Sequence, residues 1–304
     1  MILLDSHHGI LLETLQNRLE SDHSDSLSVR IADFDGAAYQ VGTVADAKHC
    51  LTVSLSLRCY PDLLQYGATD VLRTVFGSWL QAQPEQGYDV TLLLDMPAIA
   101  ADPDAVQRLL TDVPLLKRHA MAAPFLTAFA AQANKETSPI ATIRFREGEA
   151  IFIQALPDRV TVFFATQFKE ETDRIFAKVF LQEFADARRL PTCMNAPSVL
   201  YTPRDPPLEL RSVPDVPQGD SVGYVTFVLF PKHFADQASK DASISRTLLF
   251  RDYLHYHIKC SKAYMHSRMR ARVDSFLKVL NRAKPEVVSA DKKTASGRTF
   301  VRRV

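Results

Sequence analysis

Glycine is scarce in this chain, 10 of 304 residues, and no GxxxxGK(S/T) run occurs. A P-loop needs that glycine-rich turn to cradle phosphates, so a nucleotide site of this kind is excluded. Cysteine is scarcer still. Cys50, Cys59, Cys193 and Cys260 show no CxxC spacing, so neither a disulfide framework nor a zinc site is indicated, and a reducing compartment is expected. No N-x-S/T sequon occurs. No apolar stretch approaches the roughly 20 residues needed to span a bilayer. The apolar run Met1–Leu4 is too short for a secretion signal, and Asp5 interrupts it. A soluble, cytoplasmic protein without membrane attachment is expected.

Catalytic motifs are missing as well. No serine or cysteine sits in a nucleophile motif. His255 and His257 lie two apart on a helix-forming run, about 200° around the axis, and cannot share a metal as residues four apart can. Asp33 and Asp35 in ADFDG resemble a carboxylate pair, but Asp-Gly between two strand patterns reads as a hairpin turn. No catalytic, cofactor-binding or metal-binding residue is expected, and the chain reads as a non-enzyme without a cofactor.

A 46% hydrophobic and 23% charged composition is ordinary for a globular chain, and the length suggests two domains. The net charge of +1 hides an asymmetry. From Arg246 to Val304 there are 15 Lys and Arg against 4 Asp and Glu, whereas the preceding residues hold 21 basic against 31 acidic. A basic end on an acidic body points to an acidic partner. Actin-like proteins, nucleic acid and anionic lipid all satisfy charge alone.

Two segments share one order of elements. Leu27, Val29 and Ile31 alternate toward Asp35-Gly36, and Ala38–Val41 returns as the second arm of a hairpin. Leu51, Val53, Leu55 and Leu57 alternate as a third strand. A helix follows Pro61, a strand occupies Gly87–Leu94, and helical sequence runs from about Asp104 to Ala131, with Pro114 and Pro124 expected to break or kink it. The second segment repeats this with Ile140–Phe145, the Glu147-Gly148 turn, Ile151–Ile153, Val160–Phe164, a helix over Glu170–Ala187 and the strand Gly223–Phe230. In that helix Ile175, Val179, Phe180 and Phe184 are expected to form the apolar side. A proline-rich connection, Pro191 to Pro217, is expected to be extended and irregular. The expected fold class is α+β, two tandem two-layer domains, each an antiparallel sheet covered by helices on one face, with a long C-terminal helix.

That helix is the most informative stretch. No glycine or proline interrupts Leu248–Lys284. From Leu248 to Tyr264 apolar and aromatic residues appear on nearly every side, which predicts burial all round and places Tyr253, Tyr256 and Tyr264 in packing. From Met265 onward one stripe dominates, Met265, Met269, Val273, Phe276 and Leu280, with Arg268, Arg270, Lys278 and Arg282 on other sides. About 40 helical residues span roughly 60 Å, more than one small domain is wide. The second half is therefore expected to bind another protein. The alternative is a nucleic-acid-binding adaptor that uses the same basic helix, with its tyrosines stacking on bases.

FRDYLHYHIKCSKAYMHSRMRARVDSFLKVLNRAKP (Phe250–Pro285) closely resembles the C-terminal helix of subunit two of the actin-related protein 2/3 complex. The likeness continues through DRVTVFFATQF (Asp158–Phe168), KVFLQEF (Lys178–Phe184), PPLEL (Pro206–Leu210), GYVTFVLFPKH (Gly223–His233), IADFDG (Ile31–Gly36), SLSL (Ser54–Leu57) and MILL (Met1–Leu4), essentially the whole chain. The resemblance implies tandem α/β domains in a complex that nucleates branched actin filaments. It implies a C-terminal helix lying antiparallel to a similar helix of subunit four, contact with the side of the mother filament, and no nucleotide. The loops at Asp22–Ser26, Pro97–Val106 and Ala235–Lys240 depart from the family pattern, and FKEETDRIF (Phe168–Phe176) carries fewer acids.

On this basis the domains are expected at 1–131 and 132–242, the long helix at 243–284 and a basic, flexible tail at 285–304. The partner-helix interface is assigned to Ile258, Met265, Met269, Val273, Phe276 and Leu280. The actin-filament contact is assigned to Lys262, Arg268, Arg270, Arg272, Lys278, Arg282, Lys284, Lys292, Lys293 and Arg298. The expected partners are subunit four, the other subunits and the actin filament, in the actin cytoskeleton of the cell cortex and projections, with no membrane and no nucleic acid.

Overall fold

Alternating side chains set the first sheet. The computed structural model describes residues 4–20, 25–33, 35–187 and 190–282, and the backbone of 292–293 and 299–300. Strands β1 (Ser28–Ala32), β2 (Ala38–Val44), β3 (Ala47–Ser56) and β4 (Val90–Asp95) pair in that order, each antiparallel to its neighbour. Tyr39, Val41, Leu51, Val53 and Leu55 are buried, as a period of two requires for a sheet covered on one face. The turn between β1 and β2 forms as the sequence predicts. Asp33 accepts the backbone N–H groups of Asp35 and Ala37 at 3.0 and 2.8 Å, and Gly36 takes φ +79°, a conformation glycine adopts without strain.

Helix α1 (Gly9–Glu20) precedes this sheet, with Leu11 and Leu15 fully buried. Helix α2 (Tyr60–Leu64) carries Pro61 in its first turn, and α3 (Ala68–Phe76) follows it after Gly67 at φ +80°. After β4 come α4 (Met96–Ala100), α5 (Pro103–Asp112) and α6 (Leu116–Ala133). The two prolines behave differently. Pro114 breaks the run into α5 and α6 through one 3-10 turn, but Pro124 sits buried inside α6. There it forgoes one helical hydrogen bond while the surrounding core holds the helix.

The second sheet has the order β5 (Ala141–Arg146), β6 (Glu149–Leu156), β7 (Arg159–Gln167), β9 (Val222–Leu229), β8 (Ser198–Pro203), again wholly antiparallel. Its hairpin, third strand, helix α7 (Glu171–Ala187) and closing strand repeat the first unit's order, and α8 (Gln237–Arg282) follows. The proline-rich connection is not wholly irregular, because it supplies β8 as an edge strand, where Pro203 breaks no ladder. It also covers the sheet's second face, since Leu210 packs with Phe152, Phe163 and Tyr224. The second sheet is therefore buried on both faces, which explains the unbroken burial along β7.

In α7 the buried side is Asp173, Ala177 and Leu181, whereas Ile175 and Val179 are 56% and 59% exposed. Ile175 and Val179 thus face outward, against the sequence expectation, whereas Phe180 is half-buried and packs against the core, as expected. One core joins both sheets, with Phe125 and Phe129 of α6 and Ile244, Phe250, Leu254 and Ile258 of α8 among its members. By contacts the chain divides into two units, Met1–Ile258, which holds both large sheets, and Lys259–Val304. The expected tail lies outside the described residues, except that Lys292–Lys293 and Thr299–Phe300 pair as two short antiparallel strands.

Candidate partner-binding helix

Asp236 starts α8. Its carboxylate accepts the backbone N–H of Ser239 at 2.7 Å, as an N-cap acid does. The helix then runs 46 residues, about 69 Å at 1.5 Å per residue. Up to Ile258 the buried positions are Ile244, Thr247, Phe250, Arg251, Leu254 and Ile258. Burial is thus a stripe rather than the all-round burial expected from composition.

Buried polar groups fasten this half of the helix. Arg251 donates through Nε to Glu149 Oε2 at 2.6 Å, and its Nη1 lies 3.6 Å from both Asp35 and Asp252. Lys117 of α6 bridges Asp33 and Asp35 at 2.5 Å each. The hairpin-turn acids therefore have a second role that local sequence did not disclose. Arg118 reaches Asp241 at 2.5 Å and Ser245 at 3.2 Å. Tyr253 donates to the carbonyl of Leu4 at 2.9 Å.

Within this group the Asp252 carboxyl is pushed up to about 6, first by burial and then by the nearby charge of Asp35. The raised value disfavours the charged form in the fold. Its stabilising contribution is full below the unfolded value of 3.8 and is lost as pH rises through about 6. Asp252→Asn therefore stabilises the protein above pH 6, by on the order of 2 kcal/mol, and this advantage shrinks as pH falls toward 4. His119 titrates in the opposite sense, its buried imidazole pushed down to about 4. Thermal melts of both proteins across this range isolate Asp252 by difference, and a pH-independent gap would refute its assignment.

Beyond Ile258 the burial stops. Met265, Met269, Val273, Phe276 and Leu280 are 42–63% exposed. At about 100° per residue they fall in the same arc, about 100° wide, as Ile244, Thr247, Arg251, Leu254 and Ile258. A single helix face is thus covered by this chain's own core in its first half and exposed in its second. Ile258, grouped with the interface in the sequence, is 1% exposed in the chain's own core and has no surface to offer a partner. Leu277 and Val279, not singled out in the sequence, flank the ridge and are also exposed.

Among the basic residues, Arg268, Arg270, Arg272, Lys278 and Arg282 are exposed and Lys262 is half-buried. Arg268 lies 5.5 Å over the Tyr264 ring and donates to its hydroxyl at 2.8 Å, while Lys278 pairs with Asp274 at 2.6 Å. Lys284 and Arg298 lie outside the described residues, and only the backbone of Lys292 and Lys293 is described. The tyrosines separate, since Tyr253 and Tyr256 are half-buried but Tyr264 is 64% exposed rather than packed. So do the histidines. His257 stacks on Phe180 at 5.3 Å, whereas His255 faces Glu149 at 3.9 Å.

A cleft of about 1030 Å³ runs beside the first half of α8, floored by Phe180, Phe184, Phe227 and Phe250 and rimmed by Lys232 and Arg246. The sequence placed Phe180 and Phe184 on the apolar side of their helix but gave no sign of a cleft beside them. Among the described residues no helix is long and apolar enough to cross a membrane.

A family model described as "Arp2/3 complex, 34 kD subunit p34-Arc" matches residues 53–287. The chain is similar to actin-related protein 2/3 complex subunit 2 of Schizosaccharomyces pombe, 44% identical over 320 residues, which covers 99% of this chain and 100% of the relative. It is also similar to the protein of the same name from Dictyostelium discoideum, 43% identical over 302 residues and 99% of each chain.

Proposed function

Because the chain belongs to the family of the 34 kD subunit of the Arp2/3 complex, we propose that it serves as subunit two of such a complex, a non-enzymatic core scaffold of the actin-nucleating, branch-forming assembly in the cytoplasmic cytoskeleton. The observation that carries this reading is the apolar face of α8, which continues from Ile258 into the exposed ridge Met265–Leu280. Burying such side chains offers about 1.5–3 kcal/mol each before association costs. The occupant is a helix of subunit four lying antiparallel to α8. Two methionines in the ridge suit an irregular, heterotypic seam better than a symmetric coiled coil. Residues 1–131 and 132–242 act as two related domains, 243–284 as the pairing helix and 285–304 as a basic tail.

The arginines beside the ridge face the side of the actin filament. Single exposed pairs contribute under about 1 kcal/mol, but several together speed encounter and make binding salt-sensitive. Replacing Arg268, Arg270 and Arg272 with Glu leaves the complex assembled and lowers its affinity for filament sides by about tenfold or more, measured by co-sedimentation at physiological salt. Unchanged sedimentation and branching would refute the filament role. Retention of RNA or DNA by the full chain at moderate salt, without co-purifying subunits, would instead favour the nucleic-acid adaptor.

A further inference from the structure

We propose that His49, Cys50 and Asp95 form a site for a borderline-soft divalent cation, zinc foremost, at the end of the first sheet. Their donor atoms all lie within 4.8 Å of one another. The backbone explains how they meet. Cys50 and Asp95 are direct partners across β3 and β4, at the end of the paired stretch. His49 and Cys50 are neighbours and would ordinarily point to opposite faces. The pairing of β2 with β3, however, jumps from Thr43↔Leu51 to Val44↔Ala47, leaving Lys48, His49 and Cys50 without β2 partners. Such a bulge re-aims side chains. Arg18 steadies it, donating to the carbonyl of Lys48 at 2.8 Å. Asp95 is oriented too, since Oδ1 accepts the N–H of Ala98 at 3.2 Å as the cap of α4, leaving Oδ2 for a ligand.

Donors no more than 4.8 Å apart can each lie about 2.8 Å from a common point, against the roughly 2.0–2.3 Å of zinc bonds. His49 and Asp95 are exposed and Cys50 half-buried, so small side-chain rotations can close that gap. One thiolate, one imidazole and one carboxylate suit zinc and disfavour magnesium or calcium, and a water completes the tetrahedron. Bound metal would clip β3, β4 and the start of α4 together. Spacing along the chain gave no sign of this site, because two strands distant in sequence supply the donors. The proposal does not depend on the assembly role.

Titrating the full-length protein with Co²⁺ tests it, because a thiolate ligand gives a sulfur-to-cobalt absorption band that zinc then abolishes. The band is expected in the wild type and in Cys193→Ser and Cys260→Ser, but not in Cys50→Ser. His49→Ala and Asp95→Asn each weaken cobalt binding by about tenfold or more, and the asparagine preserves the helix cap. A wild type without the band at millimolar cobalt, or a band that survives Cys50→Ser, overturns the proposal.

Discussion

Met269→Asp or Phe276→Asp, introduced singly, abolishes co-purification with subunit four when the subunits are co-expressed. Both side chains lie on the exposed ridge, 60% and 63% accessible, so neither substitution disturbs the core of the free chain. Its melting temperature should stay essentially unchanged, since surface substitutions usually cost within about 0.5 kcal/mol. In the assembled seam the same carboxylate must be desolvated opposite apolar groups. The loss of about 1.5–3 kcal/mol of burial is compounded by several kcal/mol for an unpaired buried charge. An intact complex recovered with either variant at wild-type yield would refute the pairing proposed for this helix face.

Arg251→Met has the largest expected effect on the fold itself. Glu149 is 4% exposed, and its Oε2 takes the Arg251 Nε–H at 2.6 Å while Oε1 takes the backbone N–H of Gln167 at 3.1 Å. Removing the guanidinium leaves a buried carboxylate short of its counter-charge, with Asp35 and Asp252 close to the same vacated space. Breaking such a pair from one side costs about 3–5 kcal/mol, read as a shift in the denaturation midpoint. Adding Glu149→Gln to Arg251→Met should recover much of the loss, because the cost lies in the orphaned charge. A single-variant loss below about 1 kcal/mol would show that water or Arg146, 3.6 Å away, takes over.

Much of this was legible before the structure. The alternation in Leu51–Leu57, the Asp-Gly turn and the uninterrupted run into Arg282 are local signals, and each produced its element. Local signals also misled where tertiary context decides. In α7 Ala177 and Leu181 are buried and Phe180 packs half-buried against the core, whereas Ile175 and Val179 face outward, because the side that docks is set by the sheet and α8 rather than by the helix's own composition. Ile258 belongs to the same arc as the ridge, so a helical wheel cannot tell where this chain's own cover ends. The buried partners of Asp33 and Asp35, Lys117 and Arg251, lie more than 80 residues away, beyond the reach of any motif. Strand β8 was hidden by prolines, which an edge strand tolerates. Helix α1 could have been found, since Leu11, Leu15 and Arg18 recur at helical spacing and are all buried.

The exposed ridge of α8 has a consequence for dosage. A copy made without its mate would carry a strip of methionine, valine, phenylalanine and leucine of the kind that chaperones and proteases survey. Surplus molecules would be cleared rather than stored, so the steady level of this chain would track whichever companion is made most slowly. Overproduction alone would then leave its cellular amount almost unchanged.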